Sequence, residues 1–69
     1  MELRWVDGAV IKVSSEEGAS VISANREGLV SLANHLLTLS RGEPGTHIHY
    51  DEYNSLEDGS SELVFEKTN

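Results

Sequence analysis

Only one stretch of this chain sustains a helical period. From Asn25 to Ser40 the residues run Asn-Arg-Glu-Gly-Leu-Val-Ser-Leu-Ala-Asn-His-Leu-Leu-Thr-Leu-Ser, while the flanks alternate apolar and polar residues or carry turn signals. A chain of 69 residues with one amphipathic helix and several short strands has few ways to build a core. The helix must lie on a sheet. Leu29, Leu32, Ala33, Leu36 and Leu37 recur at offsets of three and four, so the spacing predicts that they form the buried stripe, with Arg26, Ser31, Asn34, Thr38 and Arg41 left to water. His35 falls between the two faces. Asn25 is the expected N-cap, because a short polar side chain there can accept from the first-turn amides. Glu27 suits the positive end of the helix dipole. Gly28 is a poor helix former and marks a place where the helix start packs closely on the sheet. Gly42, with Pro44 beyond it, is the expected left-handed C-terminal cap.

Before the helix, Glu2 to Val6 alternate and end on Asp7-Gly8, which reads as a strand leading into a hairpin. Ala9 to Val13 reads as a second strand, Ser14 to Gly18 as a polar turn, and Ala19 to Ser23 as a third strand through Val21 and Ile22. After the helix, Thr46 to Asp51 alternates again, with Ile48 and Tyr50 on the core side, the Tyr50 hydroxyl reaching the edge, and His47, His49 and Asp51 on the other side. Asp51 to Gly59 is a polar, flexible-looking loop carrying Tyr53 and Leu56. Ser61 to Glu66 closes the chain as a strand with Leu63 and Phe65 inward. The expected fold is therefore α+β in two layers: a mainly antiparallel sheet, order β-β-β-α-β-β, with one helix packed on one face, all in a single small domain over residues 1–69. The sheet's second face would carry Val6, Val10, Ile22 and Val64 beside His47 and His49, an open surface for a second copy or another partner.

Composition narrows the function classes. Twelve acidic residues against five basic ones give a formal net charge of -7, which repels phosphate backbones and anionic headgroups. Neither nucleic acid nor a membrane is an expected partner. A basic protein fits better, although such a charge also serves simply to keep a small protein soluble. No cysteine is present, so neither a disulfide framework nor a thiolate metal site is available, and a cytoplasmic location is expected. The first residues have no basic segment followed by an apolar one, and no apolar run approaches the roughly 20 residues that span a bilayer.

Three constellations could carry chemistry. His47-x-His49-x-Asp51 places two imidazoles about 6.6 Å apart on one face of a strand with a carboxylate next in line, a spacing that could converge on a divalent metal. A structural or surface role for the pair is the simpler reading. Asp51, Glu52, Glu57 and Asp58 could supply acid–base pairs, but a core this small offers little volume in which to raise a carboxylate pKa. No nucleophile elbow and no glycine-rich phosphate loop occurs. No catalytic residue, cofactor or bound metal is expected, and the chain does not read as an enzyme. What stands out is the density of contact-prone groups from His47 to Leu56. Tyr53 is the candidate anchor and the neighbouring carboxylates the candidate steering charges.

The helix-opening Asn25-x-x-Gly28-Leu29, the strand His47-Ile48-His49 and the closing Gly59-Ser60-x-Glu62-Leu63 together resemble the immunity protein 32 family of bacterial polymorphic toxin systems, over about residues 20 to 67. The resemblance implies a small cytoplasmic protein that binds and neutralises a cognate toxin domain. It implies no catalytic residues. Taken with the acidic loop, it makes His47, His49, Asp51, Glu52, Tyr53, Glu57 and Asp58 the candidate contact set for a basic toxin. The alternatives are a self-associating accessory domain, dimeric through the open sheet face, and a metal-binding module on His47, His49 and Asp51.

Overall fold

A computed structural model describes residues 2–69. The elements run β1 (Ile11–Glu16), β2 (Ala19–Ala24), α1 (Arg26–Ser40), β3 (His47–Tyr50) and β4 (Leu63–Glu66). The fold is α+β, but the expected single sheet of order β-β-β-α-β-β is replaced by two antiparallel ladders, β1 with β2 and β3 with β4. The ladders are joined side by side. Glu57 and Ser61 donate their backbone N–H groups to the carbonyls of Ile11 and Val13 at 2.9 and 2.8 Å, and Ser60 Oγ accepts from the Val13 N–H at 3.1 Å. The segment before β4 thus covers the edge of β1 that β2 leaves open.

The first predicted strand does not form. Residues 2–6 alternate in sequence, yet their polar groups go to the helix: the Val6 N–H donates to Ser31 Oγ at 2.8 Å, and the Arg4 carbonyl accepts from His35 Nε2 at 3.0 Å. Backbone groups satisfied by side chains no longer need a ladder. The Asp7-Gly8 turn that follows is present, with Gly8 at φ 85°. The expected turn at Ser14 to Gly18 is also shorter, because β1 continues through Glu16 and pairs Glu16 with Ala19. Only Glu17 and Gly18 form the loop, at φ 50° and 82°. Two consecutive left-handed residues in a two-residue hairpin match the type I′ turn, whose twist suits the flanking strands. Glu17 is a poor occupant, since a side chain other than Asn, Asp or Gly adopts this region at a cost of about 1–2 kcal/mol. Glu17→Asn is expected to stabilise the protein by about 0.5–1 kcal/mol and raise Tm by about 3–6 °C. Glu17→Gln controls for the lost charge. Equal Tm values for the two variants would show that the gain, if any, is not conformational.

The helix starts as expected. Asn25 Oδ1 accepts from the Gly28 N–H at 2.8 Å and from the Val10 N–H at 3.0 Å, while Asn25 Nδ2 donates to the Gly8 carbonyl at 2.8 Å. One side chain both caps the helix and fastens it to the chain entering β1. Gly28 is the point of closest approach: a Cβ there would stand 2.8 Å from the Val10 carbonyl oxygen and 2.9 Å from Ile11 Cγ1. The helix ends differently from expectation. Arg41, in right-handed geometry, is the C-cap; Gly42 is not left-handed, whereas Gly45 is, at φ 92°. The free carbonyls of Ser40 and Gly42 accept instead from Lys67 Nζ at 2.8 and 2.9 Å. A cation after β4 neutralises the negative end of the dipole.

The largest correction is the helix's rotation. Its buried residues are Gly28, Ser31, Leu32, His35 and Leu39, while Leu29, Ala33, Leu36 and Leu37 are exposed. Of the expected stripe only Leu32 is buried. Two polar residues with partners and one glycine fix the angle. Ser31 Oγ accepts from Val6 and donates to the Glu27 carbonyl at 2.8 Å, His35 bridges two groups, and only Gly28 permits the contact with Val10. Leaving Ser31 and His35 in water would forfeit these bonds and unseat residues 4–6. The core they help enclose comprises Ile11, Val13, Leu32, Leu39, Ile48, Tyr50 and Leu56, with Leu3, Ala24, Leu63 and Phe65 packed around it. Ile22 pairs with Val13 and so shares the helix-facing side of its ladder rather than the outer one. Val6 lies outside the ladders altogether. Val64, opposite His49, does keep company with the histidines as expected.

Candidate functional site

The chain between β3 and β4 is compact and hydrogen-bonded, which corrects the expectation of a flexible loop. Asp51 organises its first half. Its Oδ1 accepts from the backbone N–H groups of Tyr53 and Asn54 at 2.9 and 3.0 Å, and its carbonyl accepts from Ser55 and Leu56 at 3.1 and 2.9 Å. Asn54 answers with its own side chain, Oδ1 accepting from the Asp51 N–H at 3.1 Å and Nδ2 donating to the His49 carbonyl at 3.2 Å. This reciprocal pair is a side-chain-built turn, and its signal was in the sequence as Asp-x-x-Asn. Leu56 then plugs the core, and Glu52 Oε2 accepts from the Gly59 N–H at 2.8 Å, closing the second half.

This framework sorts the seven candidate contact residues. Asp51 and Glu52 spend carboxylate oxygens on the loop's own backbone. Tyr53 touches little and stands 93% exposed. Glu57 and Asp58 line an open cleft of about 730 Å³ with Val10, Lys12, Asn25 and Leu56. His47 and His49 share the outer face of β3, each with its own neighbour: His47 Nδ1 lies 3.4 Å from the Gly45 carbonyl, and His49 Nε2 lies 2.8 Å from Glu62 Oε2. Glu62 is the diagonal cross-strand neighbour of His49, two residues before its partner Val64, a contact that strand register alone would have revealed.

His47, His49 and Asp51 are not gathered around one point, since Asp51 is turned into the loop. Among the described residues no group of three or more His, Cys, Asp or Glu side chains could hold a metal ion. Among them Arg26 and Glu27 form an ion pair at 3.5 Å, and the only other carboxylate as near a basic side chain is Glu62, hydrogen-bonded to His49. Most carboxylates therefore face water without a cation. No helix among the described residues is long and apolar enough to cross a membrane.

The third histidine, which periodicity left between two faces, is fully buried. His35 Nε2 lies 3.0 Å from the Arg4 carbonyl, which can only accept, so Nε2 carries the proton. Nδ1 is then the acceptor for the Tyr50 hydroxyl at 2.7 Å. Trp5 covers the imidazole edge-on, with ring centroids 4.5 Å apart. Desolvation lowers the His35 pKa, and the hydrogen bond to Arg4 opposes it in part. Burial pushes the Tyr50 hydroxyl up to about 12. Both groups are held neutral, and the expected placement of the Tyr50 hydroxyl at the edge is corrected. Among the described residues every buried side-chain nitrogen and oxygen has a partner. The network is a structural one: it lies under Trp5 and ties the first residues of the chain to the helix and β3.

The family profile of immunity protein 32 matches residues 21–68, well over half of the chain. The chain belongs to the immunity protein 32 family. The match begins inside β2 and takes in the helix, both later strands and the whole acidic loop. No curated protein and no solved structure matches the chain.

Proposed function

We propose that this protein binds a cognate toxin domain and neutralises it by direct contact, presenting the acidic surface from His47 to Asp58 to a basic face of the toxin. Membership of an immunity protein family supports the class of function. The observation that carries the contact region is Tyr53, 93% exposed on a loop that its own hydrogen bonds hold in shape. A rigid aromatic ring costs little entropy to immobilise, and a loop already ordered loses less on docking. The surrounding carboxylates, mostly free of cations, would steer a basic partner at long range. This reading requires no catalysis, cofactor or metal from the protein, and places it in the cytoplasm of the toxin-producing bacterium.

Calorimetric titration into an inactivated form of the polypeptide encoded immediately upstream, at two salt concentrations, tests the reading. One-to-one nanomolar binding that weakens with salt is the expected result. The informative variants are those that leave the loop's own bonds intact. Tyr53→Ala is expected to cost at least about 2 kcal/mol, mostly in koff, and Glu57→Lys with Asp58→Lys to slow association about 10- to 100-fold at low salt. Reversing Asp51 or Glu52 is less clean, because it would also dismantle the turn. Binding indifferent to salt and to both changes would reject this surface as the contact.

A further inference from the structure

A second cleft, of about 350 Å³ and open to water, lies beside the proposed contact region. Residues 5–9 form one wall, and Asn54 and Ser55 the other. Its size is at the low end of the roughly 300–1,000 Å³ of clefts that take small ligands, enough for one long side chain. Both walls are fixed before anything docks. The Val6 N–H donates to Ser31 Oγ at 2.8 Å, the Ala9 N–H closes the turn on the Val6 carbonyl at 3.2 Å, and Asn25 Nδ2 donates to the Gly8 carbonyl at 2.8 Å. Across the cleft, Asn54 is tied to the Asp51 N–H and the His49 carbonyl, and the Ser55 hydroxyl donates to Asn54 Oδ1. The Trp5 indole packs edge-on with His35 and Tyr50, ring centroids 4.5 and 6.2 Å away, yet 43% of its surface stays exposed.

The charge of this lining has one sign. Asp7 is its only charged residue; it is exposed, and among the described residues no cation lies within ion-pair distance of its carboxylate. Arg4, beside Trp5 in sequence, is exposed and does not line the cleft. Arg26, which follows Asn25, pairs with Glu27 at 3.5 Å. The cleft that holds Glu57 and Asp58 differs, because Lys12 lies in it. An exposed indole and an unpaired carboxylate in a rigid cleft are complementary to a guanidinium, which stacks on an aromatic face and donates to a carboxylate at the same time. An ammonium is more strongly hydrated and has no flat face to stack. An apolar occupant would leave Asp7 desolvated without a partner.

We propose that this cleft receives an arginine side chain from the toxin's basic face, held by Trp5 and Asp7. The inference rests on the toxin-binding reading and extends its surface from the loop to the segment before β1. Asn54 and Ser55 follow Tyr53 directly, so a partner seated on Tyr53 lies next to the cleft.

Trp5 is the only tryptophan in the chain, so its fluorescence reads the cleft with no toxin present. Titration with N-acetylarginine amide is expected to change the Trp5 emission along a saturable curve, with Kd on the order of 10 mM. The citrulline analogue, of the same shape without the charge, is expected to bind at least about 10-fold more weakly. Asp7→Asn touches none of the hydrogen bonds above and is expected to leave Tm unchanged while weakening the arginine ligand about 5-fold. No response, an equal response to the two ligands, or indifference to Asp7→Asn would overturn the proposal. In calorimetry against the inactivated toxin the same variant is expected to lose about 10-fold in affinity, and unchanged affinity would overturn the assignment of the cleft to the toxin. A toxin that does not bind at all would reject the toxin-binding reading and leave the arginine titration as it stands, so the two failures are told apart.

Discussion

His35→Leu is expected to destabilise this protein by about 2–4 kcal/mol, although leucine is the more apolar residue and fits a buried helix position. The imidazole satisfies two groups at once, the Arg4 carbonyl through Nε2 and the Tyr50 hydroxyl through Nδ1. Leucine satisfies neither, and a buried polar group left without a partner costs about 1–3 kcal/mol. The loss is large beside a total stability of about 3–10 kcal/mol for a domain of this size. Tyr50→Phe in the same background removes one orphan. The double variant is therefore expected to be more stable than the sum of the single effects by about 1–2 kcal/mol, measured by urea denaturation. Strict additivity would show that the two side chains are not coupled.

The same network sets a pH dependence. The folded state holds His35 with its pKa lowered, so the unfolded chain binds the proton more readily. Stability is full above the ordinary histidine value of about 6.5 and falls as the pH drops below it. Tyr50 acts at the other end. Its pKa is pushed up to about 12, so the unfolded chain loses the proton first, and stability falls as the pH rises above about 10. His35→Leu is expected to flatten the acid limb that begins near pH 6.5.

These residues also show where sequence reading reached its limit. Much of what is local was legible: the 3.6-residue period, Asn25 as cap, the inward Ile48 and Tyr50, and the turn at Asp7-Gly8, whose glycine sits at φ 85°. What was hidden depends on partners distant along the chain. Ser31 looks like a solvent residue until Val6, 25 residues away, gives it a backbone N–H. His35 is ambiguous until Arg4, 31 residues away, supplies a carbonyl. Without those contacts the leucine stripe is the better core, and counting apolar residues chooses the wrong face. The end of the helix repeats the lesson: no basic residue lies in its last turn, and the cation that serves it, Lys67, arrives 25 residues after Gly42. The residue types of the proposed contact surface can be read from the sequence but their division of labour cannot, because it takes the structure to separate the carboxylates that build the loop from those that face outward.

Gly28 shows the opposite case, a long-range constraint visible in a single letter, and it yields the second large effect. In an open helix Gly→Ala stabilises by about 1 kcal/mol through propensity and unfolded-state entropy. Here the sign reverses. The added methyl would stand 2.8 Å from a backbone oxygen, 2.9 Å from Ile11 Cγ1 and 3.1 Å from the Ala24 Cβ, and none of these is the free end of a flexible side chain. Ile11 is fully buried, and Val10 is held on both sides, its N–H by Asn25 Oδ1 and its carbonyl by the Asn25 N–H. Relief requires the helix start to lift off β1, which would stretch the Asn25 bonds. Gly28→Ala is therefore expected to cost about 2–3 kcal/mol net, at the upper end of overpacking penalties. Gly28→Ser should cost at least as much. The check is chemical denaturation beside a half-exposed control on the same helix, Asn34→Ala, for which propensity alone predicts a small gain. If Gly28→Ala were as stable as the wild type, the helix would have slack against the sheet, and the close approach could not be what fixes its rotation and turns its leucines outward.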